Sequence, residues 1–448
     1  MSTNIQKNQI TEGIIWRQLL LFFFPILLGT FFQQLYNTID SVIVGQFVGK
    51  EALAAVGGSS AQIVAFVVGF FTGLSSGASV TIAQFFGAKD SRSANKGLHT
   101  AYAIAAFGGL ILTVSGIILT PFLLEMMNTP ADIVADSAVY LRIYFAGIIF
   151  VLIYNMGSAI LRATGDSKRP LYYLIVCCII NIVLDVLFVI VFHMGVMGVA
   201  VATLIAQAVS AVLVTLKLMR SEGILKLSVK QIRFHGSILK MQLKLGLPTG
   251  FEAILFSITN IAIQSAVNTF GTDTTAAWSA YGKLDAIFWM VSTAFGIAIT
   301  TFVGQNYGAG KMDRVRKSTR VCLLMDFIVS AVLVVFLIAA RFLLFRLFTN
   351  DSHVIEIGCD MLVLITPWYI VYVFIEVIAG ALRGVGNVVV PVAITLLGVC
   401  VLRIAWLAAM LKISPTISAI ILSYPVTWVI TALAFIIYYI YITYRRKF

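Results

Sequence analysis

Leu161-Arg162-Ala163-Thr164-Gly165, followed by Pro170, returns 221 positions later as Leu382-Arg383-Gly384-Val385-Gly386, followed by Pro391. Gln84-Phe85-Phe86-Gly87-Ala88 reappears at the same shift as Gln305-Asn306-Tyr307-Gly308-Ala309, and Pro25 of the first apolar segment has its counterpart, two residues further on, in Pro248. Self-similarity over about half the chain marks an internal duplication. The copies differ where it is costly to differ. Asp40, Asn181 and Asp185 stand inside apolar segments of the first copy, and Ile263, Leu402 and Trp406 take those places in the second. An ionisable side chain in hydrocarbon is expensive unless it is used, so this asymmetry points to a site.

Around these motifs, 60% of the 448 residues are hydrophobic and 11% are charged, with a mean hydropathy of +1.00. That is too little polar surface to enclose the apolar mass in water. Twelve apolar stretches are long enough to cross a hydrocarbon core as helices, at about 17–45, 53–82, 99–121, 136–161, 170–192, 196–218, 245–269, 275–302, 321–346, 358–382, 389–411 and 418–442. The fold class expected is an all-α integral membrane protein. The first stretch is too long for a signal-peptide core and no small-residue cleavage motif follows it, so it reads as a true span. The five cysteines, Cys177, Cys178, Cys322, Cys359 and Cys400, lie in apolar segments without metal-ligand spacing and read as buried thiols.

A formal net charge of +12 raises the question of nucleic acid. The basic residues, however, fall in alternate short loops: Lys89, Arg92 and Lys96; Lys168 and Arg169; Arg220 to Lys240; Lys311 to Lys317; and the Arg445-Arg446-Lys447 end. The positive-inside rule accounts for that pattern, excludes a nucleic-acid partner, and puts both termini in the cytoplasm of a cell whose plasma (inner) membrane holds the protein. Six spans per copy make the repeats parallel, related by a pseudo-two-fold axis along the membrane normal, with a substrate path between the lobes. The expected organisation is an N-lobe at 1–218, a basic linker at 219–244 lying amphipathically on the cytoplasmic surface, and a C-lobe at 245–448, acting as a monomer among membrane lipids.

Helical rise places the polar residues of the first copy in one layer. Asp185 precedes His193, at the end of span five, by eight residues, on the order of 12 Å of depth. Asp40, Asn181 and Thr203 fall at similar levels. Tyr36 and Asp40, like Asn181 and Asp185, are four apart, so each pair shares a helix face. Two carboxylates, an amide oxygen and a hydroxyl form an oxygen-rich nest suited to a hard monovalent cation, Na+ at Asp40, Asn181, Asp185 and Thr203, or to a proton shared between the acids. The plainer alternative is that the acids join helix to helix as protonated hydrogen-bond donors.

With these motifs in view, the chain resembles the multidrug and toxic compound extrusion transporters, within the multidrug/oligosaccharidyl-lipid/polysaccharide flippase superfamily, over nearly its whole length. The Tyr36, Asp40, Asn181, Asp185 and Thr203 set is similar to the N-lobe cation site of that family's archaeal and related bacterial members. The resemblance implies two six-helix lobes working by alternating access, with ion or proton binding at Asp40, and bending of span one near Pro25, driving cargo outward.

Candidates for lining the cargo path are Gln33, Gln34 and Asn37 on span one, Asn155 on span four, Glu252, Asn260 and Gln264 on span seven, Lys283 and Asp285 on span eight, and Glu376 on span ten. Acids there would attract organic cations, with Phe256, Phe288 and Trp289 as stacking surface. Lys283 with Asp285 or Glu252 reads equally as a neutralised structural pair. Arg162 and Arg383 read as helix-end residues, and the Gly69, Gly73, Gly77 series as a close helix contact. The function expected is antiport of cationic amphipathic compounds against Na+ or H+, with no cofactor besides that ion. A flippase or exporter of lipid-linked or other anionic substrates is the alternative. No paired histidines, Asp-rich metal motif, Ser-His pair or P-loop argues for an enzyme or an ATP-driven pump.

Overall fold

The computed structural model describes residues 9–445, and among them it contains twelve helices long and apolar enough to cross a membrane. We label these α1 (Ile15–Phe47), α2 (Lys50–Gly87), α3 (Ser91–Met126), α4 (Val134–Ala163), α5 (Lys168–Val191), α6 (Gly195–Met219), α7 (Gly236–Asn268), α8 (Thr272–Gly308), α9 (Met312–Arg346), α10 (Ser352–Val385), α11 (Val389–Ile413) and α12 (Ile417–Tyr444). There is no strand among the described residues. Hydrocarbon offers no partner for backbone N–H and C=O groups, so apolar segments of this length close their hydrogen bonds internally. Each of the paired helices α5 and α11 contains a π-helical turn, at Val186–Val191 and at Leu396–Val401, though not at matching positions of the repeat.

The chain divides into two compact units whose boundaries differ from the expected lobes. One unit is Phe24–Gly250; the other joins the described residues up to Phe23 with Phe251 onward. Both boundaries fall inside a helix and beside a proline, Pro25 in α1 and Pro248 in α7. Proline deletes one backbone hydrogen bond and crowds the preceding turn, which makes these the weakest places in otherwise continuous helices.

In the Phe24–Gly250 unit, Tyr102, Tyr154, Leu98, Ile160 and Val214 are at the centre of the core. The leading half of α7 packs there through a backbone contact: a Cβ on Gly77 would run into the backbone of Gly246, and one on Gly73 into that of Gly250. This bears out close packing at Gly73 and Gly77.

The segment before α7 is not a free amphipathic strip. Two 3-10 turns, Gly223–Leu225 and Val229–Gln231, are tied to α3, and α7 begins at Gly236, well inside the expected linker. Ser228 N–H donates to His99 Nε2 (3.0 Å), Asn95 Nδ2 donates to the Lys226 carbonyl (3.2 Å), and Thr100 Oγ1 meets His235 Nδ1 (3.1 Å). Leu227 is buried among the apolar residues of this unit.

In the other unit, Phe288, Tyr369, Trp428, Phe345 and Leu362 build the core. The start of α1 packs on α8, with Phe23 stacked on Phe295 (4.1 Å between centroids) and Phe22 edge-on to Phe302 (5.9 Å). Arg314 Nε and Lys311 Nζ donate to the carbonyls of Ile10 and Thr11, both at 3.0 Å, which fixes the short helical turn Gln9–Glu12. All five cysteines are free and buried, as expected.

Candidate functional site

The residues that break the duplication converge within the Phe24–Gly250 unit. Helical spacing puts Tyr36 and Asp40 on one face of α1, Asn181 and Asp185 on one face of α5, and Thr203 on α6 opposite them. Asp40, Thr203 and Tyr36 are buried, and Asn181 and Asp185 are sealed from solvent at 1% and 0% exposure. Asp40 neighbours Asp185 and Asn181, and Thr203 Oγ1 donates to its Oδ2 at a long 3.5 Å. Asp185 is the last residue before the π-helical turn of α5. Such wide turns recur at functional positions because they re-aim the neighbouring side chains.

Buried polar groups are almost always paired. Here five atoms have no aligned partner: Asp40 Oδ1, both carboxylate oxygens of Asp185, and Nδ2 and Oδ1 of Asn181. Two ionised carboxylates about 4 Å apart at an effective dielectric of about 20 would repel by about 4 kcal/mol. One positive charge removes that penalty. Either a proton between the two acids or an alkali cation among the oxygens of Asp40, Asp185, Asn181 and Thr203 fits the donor set. Among the described residues no group of three or more His, Cys, Asp or Glu side chains could hold a metal, so a multi-carboxylate divalent site is not what this arrangement offers.

Two neighbours escaped the sequence reading. Gln207 Nε2 donates to Tyr36 Oη (3.2 Å), and Tyr140, stacked on Tyr144 at 6.2 Å, lies close to both acids. Gln207 is one turn beyond Thr203 on α6, so the same four-residue spacing could have revealed it. Tyr140 and Tyr144 share that spacing on α4, but tyrosines at helical spacing carry no signal that separates packing from a site.

The cargo-path candidates are distributed differently. Gln33, Gln34 and Asn37 are exposed and Asn155 is half-buried in the first unit. In the second, Asn260 is exposed, Glu252 is half-buried, and Gln264 donates to Asn268 Oδ1 (2.8 Å). Lys283 is exposed and forms no ion pair among the described residues, so the pairing with Asp285 or Glu252 does not occur. Two residues apart on a helix, Lys283 and Asp285 point in divergent directions. Asp285 instead accepts from Tyr369 Oη (2.5 Å), Trp289 Nε1 (2.7 Å) and Tyr281 Oη (3.2 Å). Phe288 is fully buried against Tyr369, which removes it from the stacking surface. Glu376 pairs with Arg383 at 3.0 Å, so the arginine of the second repeated motif is held by an acid where the first copy has Asn155.

The MatE family signature matches residues 25–187 and 248–408, one match in each copy of the duplication. The chain belongs to the MatE family. Its members are transporters, not enzymes. Among curated relatives, the probable multidrug resistance protein YoeA of Bacillus subtilis is 30% identical over 86% of this chain and 84% of its own length. The probable multidrug resistance protein NorM of Thermotoga maritima is 27% identical over 91% of this chain and 88% of its own. The MatE fold is shared with a MOP superfamily transporter from Pyrococcus furiosus, whose reverse binding-pocket polarity suggests a different function. That structure superposes with a TM-score of 0.91 at 20% identity, covering 98% of each chain.

Proposed function

We propose that this MatE protein is a secondary antiporter that expels cationic amphipathic organic compounds in exchange for inward Na+ or H+ by alternating access. It works as a monomer in the cytoplasmic membrane, with both termini inside the cell. The observation that carries this reading is the meeting of Asp40 and Asp185 in a buried nest with five unpartnered polar atoms. A ligand shifts a conformational equilibrium only by its differential affinity for the two states. An acid pair that shares one positive charge when loaded and repels itself when empty supplies such a difference. The multidrug resistance names of the Bacillus and Thermotoga relatives support the cargo class.

In this reading Asp40 and Asp185 hold the coupling ion, Asn181 and Thr203 complete its oxygen shell, and Tyr36 is oriented by Gln207. Gln33, Gln34, Asn37, Asn155, Glu252, Asn260 and Asp285 serve the cargo path. Ethidium efflux from cells that lack other exporters tests it: the wild type should clear the dye under a maintained ion gradient, and Asp40→Asn at equal membrane abundance should not. Efflux left intact by Asp40→Asn would contradict the coupling role. Movement of anionic lipid-linked sugars with none of ethidium would contradict the cargo class.

A further inference from the structure

The second unit contains an acid that neither the duplication nor the proposed antiport site uses. Asp326 lies in the apolar run of α9 and is 0% exposed. Ser330 Oγ donates to its Oδ1 (3.1 Å), while Oδ2 has no partner. Its charged neighbourhood is acidic. Glu376 of α10 is close to it, and Cys322, one turn earlier on α9, adjoins both acids. Glu376 in turn pairs with Arg383, and the same guanidinium faces Glu252 of α7 and the ring of Tyr372. From α8, Gly296 provides the room: a Cβ there would collide with the Glu376 carboxyl.

Two carboxyl groups, Glu376 and Glu252, thus face one guanidinium, while Asp326, the most deeply buried acid of the group, has no cation beside it. An isolated carboxylate in such a place is held neutral by its surroundings. Glu376, near Asp326 and with its side chain 20% exposed, is the neighbouring acid that solvent reaches and offers a relay for exchange. We propose that Asp326 binds an exchangeable proton, passed through Glu376, and so forms a second proton-binding site in the unit that lacks the Asp40–Asp185 pair. One oxygen without a partner and one serine hydroxyl make a proton acceptor, not a cage for a metal cation. The inference rests on the transporter reading for its use, but not on which ion Asp40 takes.

The test is infrared difference spectroscopy of the full chain in lipid nanodiscs, recorded between acid and alkaline pH and, separately, with and without tetraphenylphosphonium as cargo probe. We expect a protonated-carboxyl C=O band that is lost on alkalinisation and on cargo addition. It should be absent from Asp326→Asn and present in an Asp40→Asn, Asp185→Asn double variant. If Asp326→Asn does not fold, Glu376→Gln, which keeps Asp326 in place, should shift the same band. A band that ignores both pH and cargo would overturn the proposal in favour of a permanently protonated structural hydrogen bond. A band that follows Na+ and not pH would overturn it as well. Because the pH arm is read without transport, failure of the antiport reading would leave that arm unchanged.

Discussion

Asp40 and Asp185 come from helices about 145 positions apart in the chain and meet because each occupies the buried face of its own helix. Their partners grade the predictions. Thr203 makes one long hydrogen bond to Asp40, and a hydrogen bond of this kind is worth about 1 kcal/mol net. Thr203→Ala should therefore weaken the apparent affinity for the coupling ion roughly fivefold, read from the ion dependence of dye transport. Gln207→Leu should shift that ion dependence without touching an acid, since it only frees Tyr36. An unchanged ion dependence in Gln207→Leu would place Tyr36 outside the site. The sequence disclosed the acids through the cost of charge in hydrocarbon. Asp326 is open to the same reasoning, as an acid within the apolar run of α9, but no second acid or polar companion at helical spacing in the sequence marks it beyond Ser330. The bonding of Asp285 to Tyr281, Tyr369 and Trp289 could not be read, because it depends on rotamers and on α10, far away in the chain.

At the level of elements, the twelve spans were legible because twenty-residue apolar stretches have one stable form in lipid. Their grouping was not. Hydropathy is blind to where a helix changes company, and the switches beside Pro25 and Pro248 are set by packing: Phe23 on Phe295, and Gly73 and Gly77 against α7. Gly77→Leu should destabilise the protein by about 3 kcal/mol or more, since overpacking against backbone leaves nothing flexible to yield; thermal unfolding in detergent, compared with Gly69→Leu, measures it.

The segment between the repeats gives a pH prediction. His235 titrates below its ordinary range, first because it is partly desolvated and then because Arg233, Lys96 and His99 surround it. A histidine whose folded-state value is depressed stabilises its contact fully above about pH 6.5, and that stability is lost as pH falls below it. Proteolysis within 223–235 should accelerate on acidification from neutral pH, and His235→Gln should flatten the response. A rate independent of pH in the wild type would show that the Thr100–His235 contact does not hold the segment.

On the scale of the whole molecule, the account assigns unequal work to two copies of one helical plan. The first copy keeps two acids without a basic partner; at the corresponding places the second has Ile263, Leu402 and Trp406, with Glu376 tied to Arg383, Asp285 to aromatic hydroxyls and Asp326 held by Ser330. Neutralising the first pair should abolish coupling while leaving the fold intact. Dye counterflow in proteoliposomes, under sodium and pH gradients imposed separately, tests this most directly. The account predicts that one of the two gradients drives accumulation in the wild type and that neither does so in Asp40→Asn or Asp185→Asn; gradient-driven accumulation persisting in both variants would contradict it.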